Sequence, residues 1–272
     1  MDNKFYSMTY DESMEAYGTD KPDLRYDMKL VDVIDIFAKS TNEIFSGIAA
    51  YKDQNRIKAI RVKSWDTLFS KTQMKNFEKY VRQYGAQGLG YFQMKEDGLK
   101  WPLNKFFTED DLNEIVKVTE LEVWDVVFFG AWEKNTVLNY MWKFRIHLES
   151  LIGLVNKDEL AFSWITDFPM FEESEIDGSL DFAHNPFSMP TWGIKAFDTD
   201  DLLSIRWNQY DLSCNWYEIL SGSIRNHDIE TLVKAFEMVW RTEDEVKEKF
   251  WAMYEAFQYG VPPHGGFAIG MD

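Results

Sequence analysis

The chain has 272 residues, 45% hydrophobic and 28% charged, enough to bury a sizeable core as one large domain or two modest ones. That balance excludes a disordered polymer, and no apolar run approaches the roughly 20 residues of a membrane span. A formal net charge of −17 excludes general electrostatic capture of nucleic acid, which needs massed lysine and arginine, so any such surface is local or lies outside this segment.

Met1-Asp2-Asn3-Lys4 is not a secretory leader. Thr9-Tyr10-Asp11-Glu12 has capping-box spacing and predicts a short helix through Ser13 to Tyr17, followed by a loop at Gly18-Thr19-Asp20-Lys21-Pro22-Asp23. A middle block runs from about Val31 to Leu151. In it, the alternation Ile57 to Val62 predicts a strand, and Ser70 caps a helix from Lys71 to about Tyr84 with Met74, Phe77 and Val81 on one face. Leu89 to Met94 reads as a second strand, Thr108-Glu109-Asp110-Asp111 as a helix start, Val126 to Phe129 as a third strand and Asn135 to Leu151 as a helix. Strands alternating with helices make this block an α/β or α+β module.

The last block reads differently. Trp164 to Phe171 looks like a strand and the acidic stretch to Ser179 like a hairpin loop. Tyr210 to Leu220 and Ser221 to Asn226 are expected to pair, and Thr242 to cap one long helix ending near Tyr259, before a closing glycine-rich strand. An antiparallel sheet with helices against it follows. The lone cysteine, Cys214, excludes an internal disulfide and fits a reducing cytoplasm.

Five segments carry chemistry: Tyr17-Gly18-Thr19-Asp20-Lys21-Pro22-Asp23-Leu24-Arg25; Asp167-Phe168-Pro169-Met170-Phe171; Ala183-His184-Asn185-Pro186-Phe187; Tyr217-Glu218-Ile219-Leu220-Ser221-Gly222-Ser223-Ile224-Arg225; and Gly265-Gly266-Phe267-Ala268-Ile269-Gly270-Met271-Asp272. In this order they resemble the bacterial-type aspartyl-tRNA synthetases, members of class II of the aminoacyl-tRNA synthetases, and the likeness covers essentially the whole chain. Alone each is weak evidence; five in family order are strong.

The resemblance implies an α+β fold in which part of the class II antiparallel sheet, with its flanking helices, is interrupted by an inserted α/β module. Residues 1–30 and 152–272 would be the two parts of the catalytic domain, the second ending inside the third signature motif, and 31–151 the bacterial insertion domain. It implies an aspartate–tRNA ligase using ATP and Mg²⁺, with L-aspartate and tRNA-Asp, and in some members tRNA-Asn, as substrates. The parent enzyme would be a cytoplasmic homodimer without membrane attachment. Arg225 is expected to hold the side-chain carboxylate of aspartate through its planar fork, and His184 to contact the same substrate, although the family commonly has a second histidine where this chain has Asn185. Asp211 and Glu218 are expected to hold Mg²⁺, with Glu218, Gly270, Met271 and Asp272 at ATP. Glu218 and Arg225 stand seven apart, so a break near Ser221-Gly222 is needed to turn both to one cleft. His264 reads as structural; His147 and His227 carry no assignment.

The chain stops one residue before the arginine that follows this motif in the family, and the second motif would precede Met1; the expectation is that this segment alone does not make adenylate. Two other classes stay open: a subunit of tRNA-dependent amidotransferases, some of which share the insertion domain, and a noncatalytic synthetase-like paralogue. Glu218, Arg225 and the Gly265 to Asp272 motif speak against the first, and His184, Glu218 and Arg225 against the second.

Eleven tryptophans are a high count. Trp164 stands where the family often has tryptophan, but Trp101, Trp124, Trp192, Trp216, Trp240 and Trp251 stand where it has glycine, and Trp65, Trp132, Trp142 and Trp207 fit the same pattern less closely. One residue type replacing one other so consistently implies a gene whose UGA codons mean glycine and have been read as tryptophan.

Overall fold

In the computed structural model, residues 5–64, 70–100, 104–174 and 176–270 are described. In chain order the first elements are β1 (Tyr6–Thr9), α1 (Tyr10–Tyr17), β2 (Leu30–Asp32), α2 (Ile34–Phe37), α3 (Glu43–Ala49) and β3 (Asn55–Val62). Then come α4 (Lys71–Arg82), β4 (Gly90–Lys95), β5 (Gly98–Lys100), α5 (Glu109–Val118), β6 (Val126–Glu133) and α6 (Lys134–Ile152). The remainder is β7 (Phe162–Pro169), β8 (Phe171–Glu173), β9 (Leu180–Phe182), β10 (Arg206–Cys214), β11 (Tyr217–Ile224), α7 (Ile229–Met238), α8 (Glu243–Lys249), α9 (Trp251–Gln258) and β12 (Gly265–Ile269).

The fold is α+β, in two compact units: residues 12–160, and residues 1–11 with 161–272. In the 12–160 unit five strands pair in the order β2-β3-β6-β4-β5, every pair antiparallel, which decides between the two classes the sequence left open. Both faces of this sheet are covered. Ile60, Val62 and Phe128 pack with Phe77 and Val81 of α4 and with Met141 and Phe144 of α6. Ile57, Ala59, Val127 and Phe129 pack with Val33 and with Ile36 and Phe37 of α2. Burial on both sides explains why β6 reads as a continuous apolar run rather than an alternating one. The helix starts at Ser70 and Thr108 are as the sequence signals: Ser70 accepts from the Gln73 amide, and Thr108 and Asp111 form a reciprocal capping box.

The lines between the two compact units fall at 11/12 and 160/161. Arg145 supplies much of the reason. Its guanidinium is fully buried on α6 and donates to the carbonyls of Asp23 (2.8 Å), Tyr26 (3.0 Å) and Met28 (2.8 Å), with the Tyr26 ring 3.9 Å away. Residues 23–28 are thereby bound to α6. Gly18, at φ +73°, leaves room for the Leu138 carbonyl, which a Cβ would strike.

The second unit holds a sheet in the order β1-β7-β10-β11-β12, antiparallel except for the parallel pair β1–β7. β1 was not legible in the sequence. The Trp164–Phe171 segment divides at Met170 into β7 and β8, and β8 pairs with β9 in a separate two-stranded hairpin. α7, α8 and α9 close over an apolar cluster of Leu232, Phe236, Val246 and Phe250. The long helix expected from Thr242 to Tyr259 is two helices broken at Phe250, whose backbone (φ −125°, ψ 33°) leaves the helical region so that its ring can enter that cluster.

Candidate functional site

The hairpin of β10 and β11 builds the site, and its turn is not where the sequence reading put it. The two-residue loop is Asn215-Trp216, closed by the pair Cys214 and Tyr217, so Glu218 lies on β11 and Arg225 directly after its last residue, rather than on separate strands. Opposite partners are Gln209 with Ser223, Asp211 with Ser221, and Leu212 with Leu220; then the register slips, and Ser213 faces Glu218. Ile219 is the extra residue. The break needed between Glu218 and Arg225 is therefore a β-bulge at Ile219, not a kink at Ser221-Gly222. It converts an odd spacing into an even one. Gln209, Asp211 and Ser213 share a face with Glu218, Ser221, Ser223 and, by continuation, Arg225. The amide of Gly270 donates to the Ile219 carbonyl (3.0 Å), tying the end of β12 to the bulge.

That face is polar and ordered by short hydrogen bonds. Ser221 Oγ donates to Asp211 Oδ1 at 2.6 Å, Gln209 Nε2 donates to the same oxygen at 3.3 Å, and the Ser163 and Ser213 hydroxyls lie 2.8 Å apart. On the opposite face Gly222 is squeezed between Tyr210 and Phe267; an added Cβ would stand 2.5 Å from the Tyr210 ring and 2.6 Å from the Gly266 carbonyl. Close approach of β12 to β11 requires glycine there.

Above the polar face lies an open cavity of about 520 Å³, lined by His184, Asn185, Gln209, Ser221, Ser223 and Arg225 among others. Two of the expected substrate residues, His184 and Arg225, are thus brought together. Arg225 is fixed at its backbone by an amide bond to the His264 carbonyl (2.8 Å) and by a bridge to Ser188, and its guanidinium lies 5.7 Å from the Phe187 ring centroid. Burial lowers its pKa from the usual arginine value, and no carboxylate among the described residues pairs with it. A half-buried guanidinium beside hydroxyls and amides is a carboxylate receptor by chemistry. His184 meets the Phe168 ring edge-on at 5.3 Å.

Asp211 is buried between Gln209 and Ser221, which line the cavity, and Glu218 is exposed at the bulge end of the same face; neither carboxylate lines the cavity itself. The register makes these two residues diagonal cross-strand neighbours across the bulge. Among the described residues no group of three or more histidine, cysteine, aspartate or glutamate side chains is placed to hold a metal ion. Two oxygen donors are nonetheless what Mg²⁺ takes from a protein when it keeps waters and phosphate oxygens, so the residues fit the ion. Gly270 follows β12; Met271 and Asp272 lie outside the described residues, as do Trp65 and Trp101. Sequence reasoning missed Gln209, Ser188, Ser221 and Ser223. The shared face of Gln209, Ser221 and Ser223 becomes readable only when the turn is placed at Asn215-Trp216.

A family model described as tRNA synthetases class II (D, K and N) matches residues 1–272. The chain belongs to that family. It is 53% identical over 268 residues to an aspartate–tRNA(Asp/Asn) ligase of Campylobacter concisus, and 51% identical over 269 residues to the ligase of the same name from Sulfurovum. These alignments cover 98% and 99% of this chain but 45% of each relative, so the chain spans less than half the length of the curated relatives it matches. A solved aspartyl-tRNA synthetase from Entamoeba histolytica corresponds over 98% of this chain and 49% of its own, at 14% identity and a TM-score of 0.27, too distant to add to the description of the fold. No helix among the described residues is long and apolar enough to cross a membrane.

Proposed function

We propose that this chain supplies the aspartate-recognising part of an aspartate–tRNA ligase. In that reaction the α-carboxylate of L-aspartate attacks the α-phosphorus of ATP, breaking its bond to pyrophosphate, and the acyl group then passes from the adenylate to the terminal ribose of tRNA with release of AMP. Arg225 would bind the substrate's side-chain carboxylate in a two-pronged grip, and His184 at the rim would orient the same substrate. Ser221 and Gln209 hold the Asp211 carboxylate in place, and Asp211 with Glu218 would hold Mg²⁺ at the phosphates of ATP. The ion, when bound, offsets the repulsion between carboxylate and phosphate. Gly270, Met271 and Asp272 would meet ATP at the end of β12. The resemblance adds tRNA-Asp, with tRNA-Asn as a second acceptor, a homodimeric parent and a cytoplasmic setting. Residues 31–151, the greater part of the 12–160 unit, would be the bacterial insertion domain.

The observation that carries this reading is Arg225. Its guanidinium faces a cavity whose other walls are neutral or hydroxylic, and no acid among the described residues neutralises it. The test is aspartate-dependent exchange of pyrophosphate into ATP by the full-length protein, with asparagine and lysine as competing substrates. Exchange with aspartate alone is expected; exchange with asparagine or lysine in its place, or none with any of the three, would sink the reading.

A further inference from the structure

Tryptophan stands at three positions whose backbone is built for glycine. Seven non-glycine residues among those described have φ in the left-handed region: Ser64, Glu120, Asp167 and Asn215, and the tryptophans Trp124 (φ 76°), Trp216 (φ 72°) and Trp240 (φ 60°). A bulky aromatic residue is out of place there, because the left-handed conformation pushes Cβ against the following carbonyl. Three of seven is far beyond the share that eleven tryptophans in 272 residues would give.

Each of the three sits in a different motif, and each motif asks for glycine on its own grounds. Asn215-Trp216 is a two-residue hairpin loop with both central φ values positive (51° and 72°), the type I′ turn that Asn-Gly forms. Trp124 is the third residue of a four-residue turn closed by the Asp125 amide on the Glu122 carbonyl (3.0 Å). With φ positive only at that third position, the turn is type II, where glycine is favoured. Trp240 follows α7. The Arg241 amide bonds the Phe236 carbonyl (3.0 Å) and the Trp240 amide bonds the Glu237 carbonyl (3.1 Å), which is a Schellman ending with Trp240 at its left-handed position. The end of α4 shows the same two bonds, Ala86 to Val81 and Gly85 to Arg82, with Gly85 at φ 94° in that place.

Side-chain packing agrees. Trp240 is 84% exposed, and Trp124 and Trp216 are each 40% exposed. Trp207 is the contrast: it is fully buried, and its indole N–H donates to the Pro169 carbonyl at 2.7 Å. Glu120, at φ 52° in its own Schellman ending after α5, shows that a non-glycine residue can be held in such a position. What it does not explain is one large aromatic residue recurring in three unrelated glycine motifs.

We infer that the polypeptide made in the source cells carries glycine at positions 124, 216 and 240, encoded by UGA, and that Trp207 is tryptophan. Position 216 matters for the site. A type I′ Asn-Gly turn sets the pairing of β10 with β11, and that pairing places Asp211 opposite Ser221 and turns Glu218 and Arg225 to one face. Glycine 216 is thus a positioning residue for the cavity. The inference stands on backbone geometry and does not depend on the reaction proposed above.

The test is peptide mass spectrometry of the full-length protein purified from its own cells, together with the codons of its gene. Glycine at all three positions, UGA at their codons, and tryptophan with UGG at position 207 are expected. Tryptophan at 124, 216 and 240, or UGG codons there, overturns the inference. In parallel, the recombinant full-length protein with Trp207 kept and the changes Trp124→Gly, Trp216→Gly and Trp240→Gly made together should unfold at a higher temperature, with a folded-to-unfolded ratio raised about fivefold or more. An unchanged or lower midpoint overturns it. Trp207→Gly alone should lower the midpoint, and a rise there would overturn its assignment as tryptophan.

Discussion

Ser221 Oγ donates a 2.6 Å hydrogen bond to Asp211 Oδ1 across the β10–β11 pair, from a position directly opposite in the register. A hydroxyl bond to a carboxylate is charge-assisted and fixes the carboxylate's rotamer beside the cavity that Ser221 lines. With Ser221→Ala the carboxylate loses that bond and keeps the longer contact from Gln209. The change should cost about 2 kcal/mol of stability by urea unfolding, and raise KM for ATP more than KM for aspartate in the full-length protein. A variant of unchanged stability would remove the ordering role given to this pair.

Arg225→Lys keeps the charge and loses the fork. With no acid beside it among the described residues, the wild-type guanidinium has its donors available for a substrate carboxylate. KM for aspartate in pyrophosphate exchange should rise about 100-fold, equivalent to about 2.7 kcal/mol, with KM for ATP little changed. Parallel rises in both constants would point instead to collapse of the cavity.

Arg145→Lys tests the clamp on residues 23–28. Lysine replaces a planar five-donor group with a single ammonium, and three carbonyls at 2.8–3.0 Å cannot all be served in that geometry. A loss of about 3 kcal/mol is expected, with faster hydrogen exchange at the amides of residues 23–28 than at those of β3 and β6.

Glu15 gives the 12–160 unit an acid-sensitive point. Burial would raise its carboxyl, but hydrogen bonds from Arg56 (3.1 Å) and Lys58 outweigh burial and hold the pKa down at about 2, against 4.5 when unfolded. A depressed folded-state value means stability that is fully present above pH 4.5 and is lost as pH falls toward 2. Unfolding of wild type and Glu15→Gln should therefore differ by about 2 kcal/mol at pH 7 and converge through that window. A constant difference down to pH 2 would refute the assignment.

Local signals were legible where one residue decides one hydrogen bond. Ser70 and Thr108 mark their helices because their hydroxyls cap the first turn, and the Ile57–Val62 run gave β3 through its own apolar pattern. What failed was set at longer range. β1 is four residues whose strand partner, β7, lies more than 150 positions away, so nothing nearby announces it. The break at Phe250 comes from an aromatic cluster that draws in Phe187 and Phe236, and helical periodicity continues through it. The hairpin turn was misplaced because Tyr210 to Leu220 reads as one strand through Asn215-Trp216, where tryptophan stands in the place of the glycine of an Asn-Gly turn. The same error hid Gln209, Ser221 and Ser223 from the candidate site, while His184 and Arg225 were found through the motifs that surround them.

The division of the chain also sets an order of assembly. The 12–160 unit is continuous in sequence, so all its pairings close within their own segment. The β1–β7 pairing must instead join Thr9 to Thr166 across that whole stretch. Closing a flexible loop of about 150 residues costs entropy that four paired residues repay poorly, and the cost falls once the intervening segment has folded into a body of fixed dimensions. Formation of β1 is thereby made contingent on the fold of the other unit. A destabilising change deep in that unit, such as one at Arg145, is then felt in refolding kinetics as late or missing closure of a sheet it does not belong to.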